Sequence, residues 1–126
     1  MSEILKQDFE RIAENLPPHI GNLSGQSVLI TGVRGLIGSY LAHLLSWMND
    51  NVLAKRCHIR AIDNGSASGT QLLADDISLY QFDICEDTRT WSYYRTPDFI
   101  FHAASIASPK YYKQYPMETL RVNTDG

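Results

Sequence analysis

Cysteine is scarce in this chain. Cys57 and Cys85 are the only two in 126 residues, and they lie far apart. Two separated thiols build no disulfide framework and supply no paired metal-ligand spacing, so they are expected as small buried hydrophobes in a reducing, cytoplasmic setting. Long apolar runs are absent too. No stretch approaches the ~20 residues that a bilayer span needs, which excludes a membrane partner through a spanning helix. The opening residues MSEILKQDFE carry acids and lack the apolar centre of a secretory signal. Nor is positive charge in surplus. Eleven Lys and Arg against 14 Asp and Glu leave a net charge of -3, which removes the electrostatic footprint of a nucleic-acid binder. What remains is 44% hydrophobic, enough for one small globular core.

Glycine is where the chain becomes specific. Residues 27–30 form a short apolar run suited to a buried central strand of a parallel sheet. Gly32, Gly35 and Gly38 follow, and 36–48 reads as a helix with Leu36, Ile37, Tyr40, Leu41, Leu44, Leu45 and Met48 as its apolar stripe. Strand, glycine turn and helix in succession make a phosphate cradle. Gly32 permits the turn, Gly35 lets the backbone approach a pyrophosphate, and Gly38 lets helix and strand pack closely. The free N–H groups of the first helical turn, at Leu36, Ile37 and Gly38, then face the negative charge. The spacing is G-x-x-G-x-x-G and not the commoner G-x-G-x-x-G. The same glycines would also serve an ordinary strand-to-helix turn, so the reading depends on the residues that follow.

Residues 3–16 place Ile4, Leu5, Phe9, Ile12 and Leu16 on one face of an N-terminal helix, which Pro17 and Pro18 are expected to end. Asn49, Asp50 and Asn51 end the second helix, and Lys55 and Arg56 read as solvated. A strand over 57–63 finishes in Asp63, followed by Asn64. An acid at that tip accepts hydrogen bonds from the adenosine ribose and repels a 2′-phosphate, which favours NAD over NADP. Arg34, inside the glycine turn, pulls the other way. A weak helix or loop is expected over 70–78 and a third strand over 79–83. Asp83 and Ile84 at its tip can bond adenine N6 and cover the ring, or simply form a solvated turn. A helix is expected to begin at 87 and end by Pro97. A fourth strand over 98–104 carries small residues, Ala103 and Ala104, with Ser105 next, leaving room for the cofactor. His102 reads as a packed strand-end residue, since no partner carboxylate is evident. Residues 105–116 read as a loop and 117–125 as a helix. Tyr111, Tyr112 and Tyr115 suit substrate contact or lid packing equally. The expected fold is α/β: an incomplete Rossmann-type, doubly wound parallel sheet ordered 3-2-1-4 with right-handed crossovers. Residues 1–26 form an N-terminal helix and linker, and 27–126 the cofactor-binding portion.

Thr31-Gly32-x-x-Gly35-x-x-Gly38, Asp63-Asn64, Asp83-Ile84, His102-Ala103-Ala104 and Asn123 occur in the order found in one family. On these residues the chain resembles the extended short-chain dehydrogenase/reductases, the NAD-dependent epimerase/dehydratase group acting on nucleotide sugars. Residues 104–109, with Tyr112, Pro116, Thr119, Leu120, Asn123 and Thr124, are most similar to UDP-glucuronate decarboxylases. Residues 38–42 look instead like GDP-mannose dehydratases. The resemblance implies an NAD kept through the cycle, which oxidises a sugar hydroxyl and returns hydride to the product. It also implies a Tyr-x-x-x-Lys pair as base and pKa modulator. None of the seven tyrosines has Lys four places on. The chain is therefore expected to be the cofactor-binding N-terminal portion of a longer enzyme, with no catalytic residue and no metal ligand of its own, and inactive alone. A non-catalytic nucleotide-binding module is the alternative. The fourth strand would normally take a neighbour from sequence outside this chain, so its exposed apolar edge predicts that the fragment associates or is marginally stable, and a homo-oligomer is expected.

Overall fold

The computed structural model describes residues 2–66, 73–86 and 96–126. Four parallel strands, β1 (Ser27–Thr31), β2 (His58–Asp63), β3 (Ile77–Gln81) and β4 (Phe99–His102), form one sheet in the order β3-β2-β1-β4. The expected strand order is thus the observed one. β1 is buried along its whole length, as a central strand covered on both faces must be. Alternate residues of β1 and β2 divide between two clusters. Val28, Ile30, Ile59 and Ala61 join Ala42, Leu45 and Met48 of helix α2 (Leu36–Asn51). Leu29 and Ile62 face the other way and pack with Ile84, Ala104 and Val122, the last from helix α4 (Pro116–Thr124). Helices on both faces of a parallel sheet make the fold doubly wound α/β.

Several boundaries differ from the sequence expectation. Helix α1 (Glu3–Ala13) stops before the prolines, and Pro18 instead opens a 3-10 helix, Pro18–Leu23, because its fixed φ suits a first helical position. Of the expected α1 face, Phe9 is fully buried, edge-on to Tyr40 of α2 at 5.3 Å and tilted on Trp47 at 6.0 Å. Ile4 is exposed.

The buried stripe of α2 is Gly38, Ser39, Ala42, Leu45, Met48 and Asn49, while Leu36 and Ile37 are 84% and 68% exposed. The helix meets the glycine turn through Gly38, the smallest residue available. That contact rotates the stripe so that the two bulky aliphatics point outward. The helix also continues through Asn51. Asn49 is buried and functions as a strap: its Oδ1 accepts from the Cys57 amide at 2.8 Å and its Nδ2 donates to the Cys57 carbonyl at 3.1 Å. Asp76 extends the link to the start of β3. Its carboxylate accepts from Ser46 Oγ at 2.7 Å and Asn49 Nδ2 at 3.1 Å and pairs with Arg56. Lys55 and Arg56 are exposed as expected, but Arg56 is held by Asp50 and Asp76.

β3 lies two residues earlier than expected. Its ladder runs from Ile59↔Ile77 to Asp63↔Gln81. Because β2 ends at Asp63, pairing ends at Gln81, and Phe82, Asp83 and Ile84 fall in the exit loop. Residues 77–78 are therefore strand. The rest of the helix or loop expected over 70–78 lies partly outside the described residues, as does nearly all of the helix expected from 87. β4 is shorter than 98–104, and the stretch read as a loop over 105–116 contains helix α3 (Pro109–Gln114). Pro109 occupies its first turn after an extended Ser108, the arrangement that starts a helix.

Candidate functional site

The site is built at the carboxyl ends of the strands. β1 leaves the sheet at Thr31, and Gly32 turns the chain with φ of 68°, a conformation that glycine adopts without strain. The Gly32 amide donates to the Ile62 carbonyl at 2.8 Å, and the Gly35 amide donates back to the Gly32 carbonyl at 3.0 Å. Space there is tight. A Cβ on Gly32 would lie 2.6 Å from Ala104 Cα, and one on Gly38 would lie 2.2 Å from the Gly32 oxygen. Gly35 is the N-cap of α2 and offers no side chain to its amides. Among the described residues, the amides of Leu36, Ile37 and Gly38 have no acceptor. The turn thus carries no side chain at Gly32, Gly35 and Gly38, presents unsatisfied donors at a helix N-terminus, and suits a phosphate.

Asp63 sits beside this turn. Its Oδ2 accepts from the Arg34 amide at 2.9 Å, its Oδ1 from the Gly65 amide at 2.8 Å, and it is only 7% exposed. Each carboxylate oxygen keeps a further lone pair for a ligand hydroxyl. Asp63, Asn64, Asp83, Ile84, Ala104 and Ser105 line one cleft, with Ile62, Ser66, Phe82, Ile106 and Val122. Ile84 is buried in the apolar floor. Asp83 Oδ1 accepts from the Cys85 amide at 2.9 Å, and Asn64 Oδ1 from the Ser66 amide at 3.0 Å, so both side chains are fixed by their own loops. The Cys85 thiol is held above its usual pKa by burial and by the Asp83 carboxylate, and Cys57 by burial. Both are poor nucleophiles at neutral pH.

Of the residues picked out by sequence, six therefore share the cleft, and Gly32, Gly35, Leu36, Ile37 and Gly38 form the adjoining turn. Ala103 does neither: its amide extends the sheet by donating to the Thr31 carbonyl at 3.2 Å. Part of the room left by the small residues at the β4 exit is taken up by Gly32, which abuts Ala104. Val122 and Ser66 also line the cleft, although neither carries a local sequence signal. Tyr111, Tyr112 and Tyr115 are exposed and do not line it. Arg34 places Nη1 3.5 Å from where a Gly65 Cβ would stand.

The strand order, the helices on both faces and the glycine turn at the end of the central strand define a Rossmann-type α/β protein. Residues 28–126 match the model of the NAD dependent epimerase/dehydratase family, and the chain belongs to that family. It is 28% identical over 123 residues to UDP-glucuronic acid decarboxylase 1 of Xenopus tropicalis, covering 95% of this chain and 28% of the relative. It is 29% identical over 103 residues to UDP-glucuronic acid decarboxylase 6 of Arabidopsis thaliana, covering 82% of this chain and 28% of the relative. The solved structure of an epimerase from Methanothermobacter thermautotrophicus superimposes with a TM-score of 0.66 at 25% identity, covering 84% of this chain and 30% of that one. The chain thus spans less than a third of the length of these relatives. Among the described residues, no helix is long and apolar enough to cross a membrane.

Proposed function

We propose that residues 27–126 are the NAD-binding part of an enzyme that epimerises, dehydrates or decarboxylates a nucleotide sugar, and that residues 1–26 are a packed N-terminal helix and linker. One observation carries this reading. The 2.9 Å hydrogen bond from the Arg34 amide to Asp63 Oδ2 joins the glycine turn to a carboxylate at the cleft. An anion site and a ribose-hydroxyl acceptor thereby stand side by side, as a dinucleotide requires.

In this reading Gly32, Gly35 and Gly38 keep side chains away from the three closest approaches of the turn, and the amides of Leu36, Ile37 and Gly38 hold the phosphates. Asp63 and Asn64 take the ribose. Asp83 accepts from the adenine amino group while Ile84 and Ala104 enclose the ring, with Ala103 and Ser105 shaping the exit of β4. When bound, NAD supplies the hydride acceptor that oxidises a sugar hydroxyl and the donor that re-reduces the product. The relatives' names favour a UDP-linked uronic acid as the first substrate to test. A cytoplasmic homo-oligomer completes the proposal.

A nucleotide-binding module without catalysis is the second reading. Calorimetric titration of the full chain with NAD and NADP tests the common core of both. Saturable binding with NAD the tighter ligand is expected. No binding of either, or tighter NADP, would overturn the roles given to the turn and to Asp63. Turnover of a UDP-uronic acid by the protein carrying this chain separates the two readings.

A further inference from the structure

We infer that Asn64 is a self-modifying site: its side chain closes on the Gly65 amide, releases ammonia and becomes an aspartyl or isoaspartyl residue in the wall of the nucleotide cleft. That the change disarms the cleft rests on the reading of it as the adenosine site; the chemistry itself does not. Of the six asparagines, Asn64 is the only one followed by glycine, so no side chain shields the nitrogen that must attack. The fold requires that glycine. Gly65 has φ of 76°, and a Cβ there would lie 2.8 Å from Gln81 Nε2. Asn64 and Ser66 are exposed.

Two neighbours supply what the ring closure needs. The Gly65 N–H donates to Asp63 Oδ1 at 2.8 Å, so a carboxylate stands ready to take the proton as the nitrogen attacks. Asn64 Oδ1 accepts from the Ser66 amide at 3.0 Å and from the Ser66 hydroxyl at 2.7 Å. Two donors on one carbonyl oxygen polarise Cγ and hold the negative charge that gathers there in the tetrahedral intermediate, as an oxyanion hole does. The Gly65 nitrogen bonds to Cγ, the Cγ–Nδ2 bond breaks, and the amino group leaves as ammonia with the proton that Asp63 took. Water then opens the cyclic imide. Breaking the new N–Cγ bond leaves aspartate. Breaking the bond from that nitrogen to the Asn64 backbone carbonyl carbon leaves an isoaspartyl link, which lengthens the main chain. No oxidant or reductant takes part. Either product puts a second carboxylate beside Asp63, in the cleft that lines up Asp63, Asn64 and Ser66.

The test is ageing of the whole chain at mildly alkaline pH in heavy-oxygen water, read by peptide mapping with mass spectrometry. Opening of the imide incorporates a heavy oxygen. Label is expected at Asn64 before it appears at Asn22 or Asn51, which are also exposed. In Ser66→Ala, which loses one of the two donors, it is expected about three- to tenfold more slowly. Asn64→Gln, whose longer side chain would have to close a larger ring, is expected to stay unlabelled. The aged chain and Asn64→Asp are expected to bind NAD about three- to tenfold more weakly than the fresh chain, the effect of one added charge near the phosphates. Label at Asn64 no faster than at Asn22 and Asn51, or an undiminished rate in Ser66→Ala, overturns the inference. Labelling as expected, with NAD bound equally by fresh and aged chains, overturns the disarming alone. A fresh chain that binds no NAD overturns the cofactor reading, and the labelling then decides the modification by itself.

Discussion

Alanine at each of the three glycines should separate packing from ligand binding. At Gly32 two penalties combine. A left-handed backbone costs a non-glycine residue about 1–2 kcal/mol, and a Cβ 2.6 Å from the Ala104 backbone adds an overpacking term of about 1–3 kcal/mol. The sum, about 2–5 kcal/mol, lowers the melting temperature by roughly 8–20 °C in a domain of this size. Gly38→Ala meets backbone at 2.2 Å, where no flexible side chain can yield. Its overpacking cost of about 3 kcal/mol is offset by about 1 kcal/mol of improved helix propensity. Gly35 differs: its Cβ would touch only the Gly32 oxygen, at 3.2 Å. Stability there should change by no more than about 1 kcal/mol. The methyl would, however, stand in front of the bare amides. Losing one charge-assisted hydrogen bond of about 1.5–3 kcal/mol weakens NAD roughly 10- to 150-fold. Gly21→Ala, with nothing within 4 Å, is the control. Thermal melts and calorimetry read both quantities. A folded Gly35→Ala protein that bound NAD like wild type would refute the phosphate cradle. An unchanged melting point in Gly38→Ala would refute the packing account.

Asp63→Asn leaves one acceptor oxygen for two amide donors and should cost about 1–3 kcal/mol. It also removes the charge that repels a 2′-phosphate beside Arg34, so the ratio of NADP to NAD affinity should rise, and an unchanged ratio in calorimetry would count against the assignment. At Asp76, burial pushes the carboxyl pKa up, but hydrogen bonds from Ser46 and Asn49 and the charge of Arg56 outweigh it and hold the pKa below the ordinary value. A depressed folded pKa adds stability above the unfolded value of about 3.9, and this is lost as pH falls through the folded value. Melts between neutral pH and pH ~3 should therefore show an acid-side loss that is smaller in Asp76→Asn. Asn49→Ala deprives the Cys57 amide and carbonyl of their buried partner and should cost about 2–3 kcal/mol by thermal melting. Sedimentation should show self-association that Ile100→Lys abolishes, since Ile100 is 61% exposed on the edge strand β4.

Much of the site was legible because its signals are local. Gly32 announces a turn through its own φ requirement, and Asp63 announces the tip of a strand by ending an apolar run. Asp83 and Ile84 were picked out although the strand before them was placed two residues late, since their loop position follows from where β2 stops. The α3 helix was hidden by a sequence rich in tyrosine and lysine, in which only Pro109 signals a start. His102 showed no partner in the sequence because its partners are the Thr31 hydroxyl and the Val122 main-chain carbonyl, neither of which has a pattern.

The chain by itself determined the four strands, the helices α1, α2 and α4 and the place of the glycine turn, because periodicity and glycine act over a few neighbouring residues. Tertiary structure alone decided the face that α2 buries, the residue at which β3 stops pairing and the closure of the cleft by Val122. Those outcomes depend on contacts between segments distant in sequence: Gly38 against Gly32, Gln81 against Asp63, and α4 against His102.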